Sequence, residues 1–160
     1  MHGAGHSRET WSASRGELVI APHLAVEGGL LPALHDVQAA FGCIPDEAVR
    51  LLAQQFNLSR AEVFGVVSFY HDFRREPAGR HVVKLCQAEA CQSMGSRELR
   101  AHACERLGVA MGETTADGRV TLEATYCLGL CATAPSAMID GRVVGRLTPA
   151  RLEAALEALA

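Results

Sequence analysis

Four cysteines fall into two close pairs. "KLCQAEACQSMG" (84–95) sets Cys86 and Cys91 with four residues between them, and "YCLGLCATAP" (126–135) sets Cys127 and Cys131 with three between. Four thiols so arranged could form disulfides, act as a dithiol redox pair, hold a tetrahedral Zn²⁺ or hold an iron–sulfur cluster. A thioredoxin-type redox pair uses Cys-x-x-Cys at a helix start, and neither gap here is two. Structural zinc sites accept two to four residues between paired ligands, so the spacing admits zinc. A [2Fe–2S] cluster takes four thiolates, and two loops supplying two each would suffice. The pairs are separated by 35 residues, which departs from the plant-type ferredoxin run. A Rieske centre would replace two cysteines by histidines, and no histidine lies between Cys86 and Cys91 or close to Cys127.

The residues around the thiols are small: Ala88, Ala90, Ser93, Gly95, Gly129 and Ala132. They let backbone amides approach sulfur and stabilise negative charge there. The segment after Cys91 is expected to open the helix that runs through Leu107, with its amino end favouring thiolate.

Bulk properties narrow the setting. The chain has 160 residues, a net charge of −3, 49% hydrophobic and 21% charged residues. These values suit a globular protein with ample apolar material for a core of its own, so it gains less from a structural ion. No basic face for nucleic acid is implied. No apolar run reaches the roughly 18 residues that span a bilayer, and "MHGAGHSRETWSASRGE" lacks the apolar core of a signal peptide. The expected location is the cytoplasm, where thiols stay reduced and clustered cysteines bind metal or react.

The thiols need elements to position them. Residues 1–24 read as a flexible polar tail. Residues 25–78 read as a three-helix bundle. Leu30, Leu34, Val37 and Phe41 share one face; Val49, Leu52 and Phe56 carry a second helix after Pro45. "SRAE" (59–62) is a capping box, in which the Ser59 hydroxyl accepts from the Glu62 amide and the Glu62 carboxylate from the Ser59 amide. It opens a third helix expected to turn Val63, Val66, Val67 and Tyr70 inward. Pro77 and Gly79 then break the pattern.

Residues 79–160 read as β, α, several β, then α. "HVVKL" is a strand ending at Cys86. Leu99, Ala103 and Leu107 form a helix face stopped by Gly108. "RVTLEATY" alternates as a half-buried strand and ends at Cys127. Asp140-Gly141 marks a two-residue hairpin, and Thr148-Pro149 starts a last helix with Leu152, Ala155, Leu156 and Leu159 inward. The expected class is α+β: a helical bundle followed by a thioredoxin-like α/β sandwich with both cysteine pairs at strand ends.

"LLPALHDVQAAFGCIPDEAV", "LSRAEVFGVVSFYHDF", the Cys-x4-Cys and "YCLGLCATAPSAMIDGRVVGRLTPARL" resemble the thioredoxin-like [2Fe–2S] subunit family over about residues 25–160. That family includes the 24 kDa subunit of respiratory complex I and small subunits of NAD-linked hydrogenases and formate dehydrogenases. "CQAEACQSMG" is most similar to the gamma subunit of the molybdenum-containing, NAD-dependent formate dehydrogenase. The resemblance implies that Cys86, Cys91, Cys127 and Cys131 hold one [2Fe–2S] cluster. It implies a flavoprotein partner with FMN and an NAD site, and a large molybdenum subunit that oxidises formate. The equivalent subunit of a hydrogenase or of complex I is the alternative, and a zinc-stabilised interaction module is the alternative from another class. The chain has no nucleotide fingerprint of its own, so an electron carrier without catalysis in isolation is expected.

Other residues receive plainer readings. Cys43 and Cys104 are expected to pack as small hydrophobes. Phe64, Phe69, Tyr70 and Phe73 are expected chiefly in the bundle core, with a partner-facing patch as the other reading. His71 is expected at a helix end or an interface.

Overall fold

A computed structural model describes residues 9–159, which divide into two compact units, one up to Pro77 and one from Ala78 onward. Each has its own buried apolar cluster.

Among the described residues the first unit has four α-helices: α1 (Ala13–Ile20), α2 (Leu30–Phe41), α3 (Asp46–Gln55) and α4 (Arg60–Phe69). Helix α2 buries Ala33, Leu34, Val37 and Phe41 and stops at Gly42. Helix α3 begins one residue after Pro45, with Asp46 and Glu47 in its first turn, where the positive end of the helix dipole favours carboxylates. Helix α4 has the reciprocal capping box of Ser59 and Glu62.

Three expectations are corrected here. First, the segment read as a tail contains α1. The expected tail's residues 1–8 lie outside the described residues. Ser12 caps α1 by accepting from the Arg15 amide, and Ile20 is fully buried. The helix presents Gly16 to the ring of Trp11, where a Cβ would stand 2.6 Å from the indole and 3.0 Å from Leu51. A helix face built on a glycine carries no hydrophobic period. Second, Tyr70 does not point inward: α4 ends at Phe69 and Tyr70 takes extended backbone as its cap, 43% exposed. Third, of the four aromatics expected in the core only Phe73 is buried; Phe64 and Phe69 are 46% and 70% exposed. His71 is exposed in the turn that follows α4.

The second unit runs β1 (His81–Cys86), α5 (Glu89–Ser93), α6 (Ser96–Leu107), β2 (Val120–Thr125), β3 (Ala137–Ile139), β4 (Arg142–Val144) and α7 (Pro149–Glu157). Its sheet order is β2-β1-β3-β4. β1 and β2 are parallel, with Cys86 opposite Thr125; β1–β3 and β3–β4 are antiparallel. The Asp140-Gly141 turn has positive φ at both residues, 47° and 81°, as a primed hairpin turn requires. Val83 and Leu85 of β1, Val120 and Leu122 of β2, Leu99 and Ala103 of α6, and Leu152 and Leu156 of α7 form one apolar cluster. This is the thioredoxin-like α+β arrangement.

The helix expected to open after Cys91 and run through Leu107 is α6, which starts at Ser96. Cys91 lies in the five-residue α5, and Gly95 at φ 94° separates it from α6. That left-handed backbone favours glycine and redirects the chain before the second helix starts.

Candidate metal centre

The parallel register brings the two cysteine loops together. β1 and β2 run the same way and end level, so the loop after Cys86 and the loop after Thr125 leave from one edge of the sheet. β3 runs antiparallel beside β1, with Ala137 opposite Leu85, so Ser136 enters at that same edge.

A polar network fixes the first loop. The buried Gln87 donates from Nε2 to Ser96 Oγ at 2.7 Å, and Ser96 Oγ donates to Cys86 O. Gln92 Nε2 donates to Gln87 O at 2.6 Å. These bonds tie the start of α6 to the end of β1 across the short helix that carries Cys91.

The two pairs differ in exposure. Cys86 and Cys91 are 1% and 2% exposed, while Cys127 and Cys131 are exposed at the surface. Cys127 and Cys131 have sulfurs 3.6 Å apart. A tetrahedral metal with metal–thiolate bonds of about 2.3 Å holds its sulfurs about 3.8 Å apart, so this separation suits two ligands of one ion. Cys86 and Cys91 form the second pair, and the Cys91 thiol lies close enough to favour the Cys86 thiolate.

Backbone donors converge on sulfur. Burial pushes the Cys86 thiol up, yet the amides of Ala88, Cys127 and Leu128 and the Cys91 thiol outweigh it and leave its pKa below the ordinary thiol value. Two of those amides belong to the other loop, so the pairs face each other. Cys127 sits at φ 86°, a left-handed conformation that costs energy for a residue with a side chain. Gly129 N–H donates to Cys127 Sγ at 3.4 Å. The Cys131 thiol is pushed above its ordinary value by the hydrogen bond and negative charge of Cys127, by burial and by the charge of Cys91. Thiolates crowded in this way repel one another unless a cationic centre lies among them.

Among the described residues no group of three or more His, Cys, Asp or Glu is close enough to hold a single ion. An exposed pair at one ion's sulfur spacing and a separate buried pair suit a two-metal group better than one tetrahedral zinc. The donor set is all thiol and ringed by amides, which fits an iron–sulfur cluster.

Cys43 and Cys104 lie elsewhere. Cys43 is buried in the helical unit, and Cys104 packs on the apolar cluster of the second unit from the last turn of α6. Sequence reasoning missed Ser136, which is 3% exposed with its Oγ 3.5 Å from Cys91 Sγ. A serine after a proline carries no metal-site signal; only the β1–β3 register reveals its position. Among the described residues no helix is long and apolar enough to cross a membrane.

The chain is similar to subunits of NAD(P)-linked oxidoreductases. HndA of Solidesulfovibrio fructosivorans, from an NADP-reducing hydrogenase, is 35% identical over 127 residues, 79% of this chain and 74% of that protein. An NADH-quinone oxidoreductase subunit of Pseudomonas aeruginosa is 36% identical over 80% of this chain and 77% of its own length. Its Escherichia coli namesake is 37% identical over 79% and 76%. The crystal structure of an NAD⁺-reducing [NiFe]-hydrogenase in the air-oxidised state superposes with a TM-score of 0.71 at 33% identity, covering 82% of this chain. This chain spans only 22% of that hydrogenase chain. Residues 17–160 match the thioredoxin-like [2Fe-2S] ferredoxin family, and the chain belongs to it.

Proposed function

We propose that this chain is the [2Fe–2S] electron-transfer subunit of a cytoplasmic, multi-subunit, NAD(P)-linked oxidoreductase, with Cys86, Cys91, Cys127 and Cys131 as the cluster ligands. The observation that carries the reading is the meeting of two cysteine pairs at one sheet edge, with amides of the second loop directed at Cys86. When bound, the cluster supplies one-electron chemistry. The chain's own residues hold four thiolates, donate N–H groups to them and keep Cys86 and Cys91 away from water. Exposed Cys127 and Cys131 mark the side on which an electron partner would approach.

The complex we favour is of the hydrogenase or NADH-quinone oxidoreductase kind, supported by the names of the relatives above. The formate dehydrogenase reading is supported only by the loop at 86–95, so it stands second. In either case the partner is a flavoprotein with FMN and an NAD site. Phe64, Phe69 and Tyr70 leave an exposed aromatic surface on the helical unit that suits docking.

Isolating the native complex through a tag on this chain tests the reading. A flavoprotein and NAD(P)-linked electron transfer should copurify. Nickel with hydrogen-dependent reduction would identify a hydrogenase, and quinone-linked NADH oxidation the complex I type. Molybdenum with formate-dependent NAD⁺ reduction would replace the favoured complex by the second. A chain that purifies alone with zinc would overturn the reading.

A further inference from the structure

Ser136 immediately precedes β3, and nothing in the electron-transfer reading uses its hydroxyl. The residue is 3% exposed, and its Oγ lies 3.5 Å from Cys91 Sγ. The backbone on both sides is pinned. Ser136 O accepts from Cys86 N at 3.0 Å, and Pro135 O accepts from Leu147 N at 2.9 Å. Ala137 is locked opposite Leu85 in the sheet.

We infer that Ser136 is a positioning residue that donates its O–H to the Cys91 thiolate and raises the reduction potential of the cluster. The inference rests on the reading of Cys91 as a ligand. A thiolate has no proton to give, so the hydroxyl must be the donor. Reduction adds negative charge that is shared by the ligand sulfurs. A donor therefore binds the reduced form more tightly and shifts the equilibrium toward it. Burial strengthens the effect, because little water competes for the sulfur. Cys86 and Cys127 receive backbone N–H groups, which substitution cannot remove. At Cys91 the donor is a side chain, so it can be deleted without touching the backbone.

The experiment uses the full-length protein with its cluster, beside Ser136→Ala and Ser136→Thr. Iron content, a mediated redox titration and resonance Raman spectra in H₂O and D₂O are compared. Ser136→Ala should keep its iron while its equilibrium constant for reduction falls about five- to tenfold. At 59 mV per decade for one electron, that is a drop of about 40–60 mV. The deuterium shift of the iron–thiolate bands should shrink with it. Ser136→Thr retains the hydroxyl and should keep the unmodified potential and deuterium shift. A loaded Ser136→Ala protein with unchanged potential and deuterium shift would overturn the inference alone. If the alanine variant does not load, the threonine variant decides: a retained potential supports the inference, and a fall like that expected of alanine overturns it. Unmodified protein free of iron would overturn the ligand reading and this inference with it.

Discussion

Cys86 and Thr125 are directly opposed across the parallel β1–β2 ladder. That pairing places residue 86 two positions from the level of residue 127, although 40 residues lie between them in the chain. A slip of one residue would turn every side chain of a strand to the opposite face. The apolar residues Val83, Leu85, Val120 and Leu122 hold the register, because all four are buried in one cluster.

The four paired thiols should not be interchangeable with the other two. Changing Cys86, Cys91, Cys127 or Cys131 singly to Ser should abolish or strongly alter the electron paramagnetic resonance signal of the reduced protein. Cys43→Ser and Cys104→Ser should leave it in place. A signal lost with Cys104→Ser and unchanged with Cys91→Ser would show the assignment to be wrong.

The division at 77/78 predicts separable roles. Residues 78–160 contain all four candidate ligands and their own apolar cluster. Expressed alone, they should remain coloured and fail to join the flavoprotein, since the helical unit is proposed to dock it. Pull-down with the flavoprotein measures this, and normal assembly of the fragment would sink the docking claim.

The contact between Gly16 and Trp11 predicts a reversal of an ordinary trend. Gly to Ala inside a helix usually stabilises by about 0.5–1 kcal/mol. At Gly16 the added methyl would meet the indole at 2.6 Å. Overpacking of this kind costs about 1–3 kcal/mol, so Gly16→Ala should lower stability by about 1 kcal/mol. The chain has one tryptophan, so intrinsic fluorescence follows both the local shift and the urea transition. A more stable variant with unchanged emission would contradict the packing described.

Acid should weaken the fold through particular carboxylates. The Ser59 hydroxyl and amide hold Glu62 below the usual carboxylate range, the Thr115 hydroxyl and Arg119 amide hold down Asp117, and Arg106 with His102 holds down Glu153. A carboxylate whose pKa is lower in the folded state stabilises the fold above its unfolded pKa, about 3.9 for Asp and 4.3 for Glu. That contribution disappears as pH falls through the lower, folded value. The urea midpoint should therefore fall on acidification below about pH 4.3, and Glu62→Gln should flatten the decline. A midpoint that rises across this window would contradict the assignment.

Much of this was legible in the sequence because the signals are local. The capping box of Ser59 and Glu62, the Asp140-Gly141 turn, the Thr148 cap and the cysteine pairs at strand ends each depend on residues a few positions apart. What escaped depends on contacts that no period records. Helix α1 was hidden because its packing surface is Gly16 beneath Trp11. Tyr70 was drawn inward by a helical period that stops at Phe69. The break between α5 and α6 depends on one φ angle at Gly95. Ser136 could not be found without the strand register. The choice of complex lies outside the chain, since the partner's substrate leaves no residue pattern here.

The central claim is that four thiols of this chain hold one [2Fe–2S] cluster. Chemical analysis of the purified full-length protein tests it most directly, with iron, acid-labile sulfide and zinc measured per chain beside the visible spectrum. The account predicts about two irons and two sulfides per chain, a red-brown colour and a paramagnetic signal that appears on one-electron reduction. A colourless protein with about one zinc per chain and no labile sulfide would contradict it.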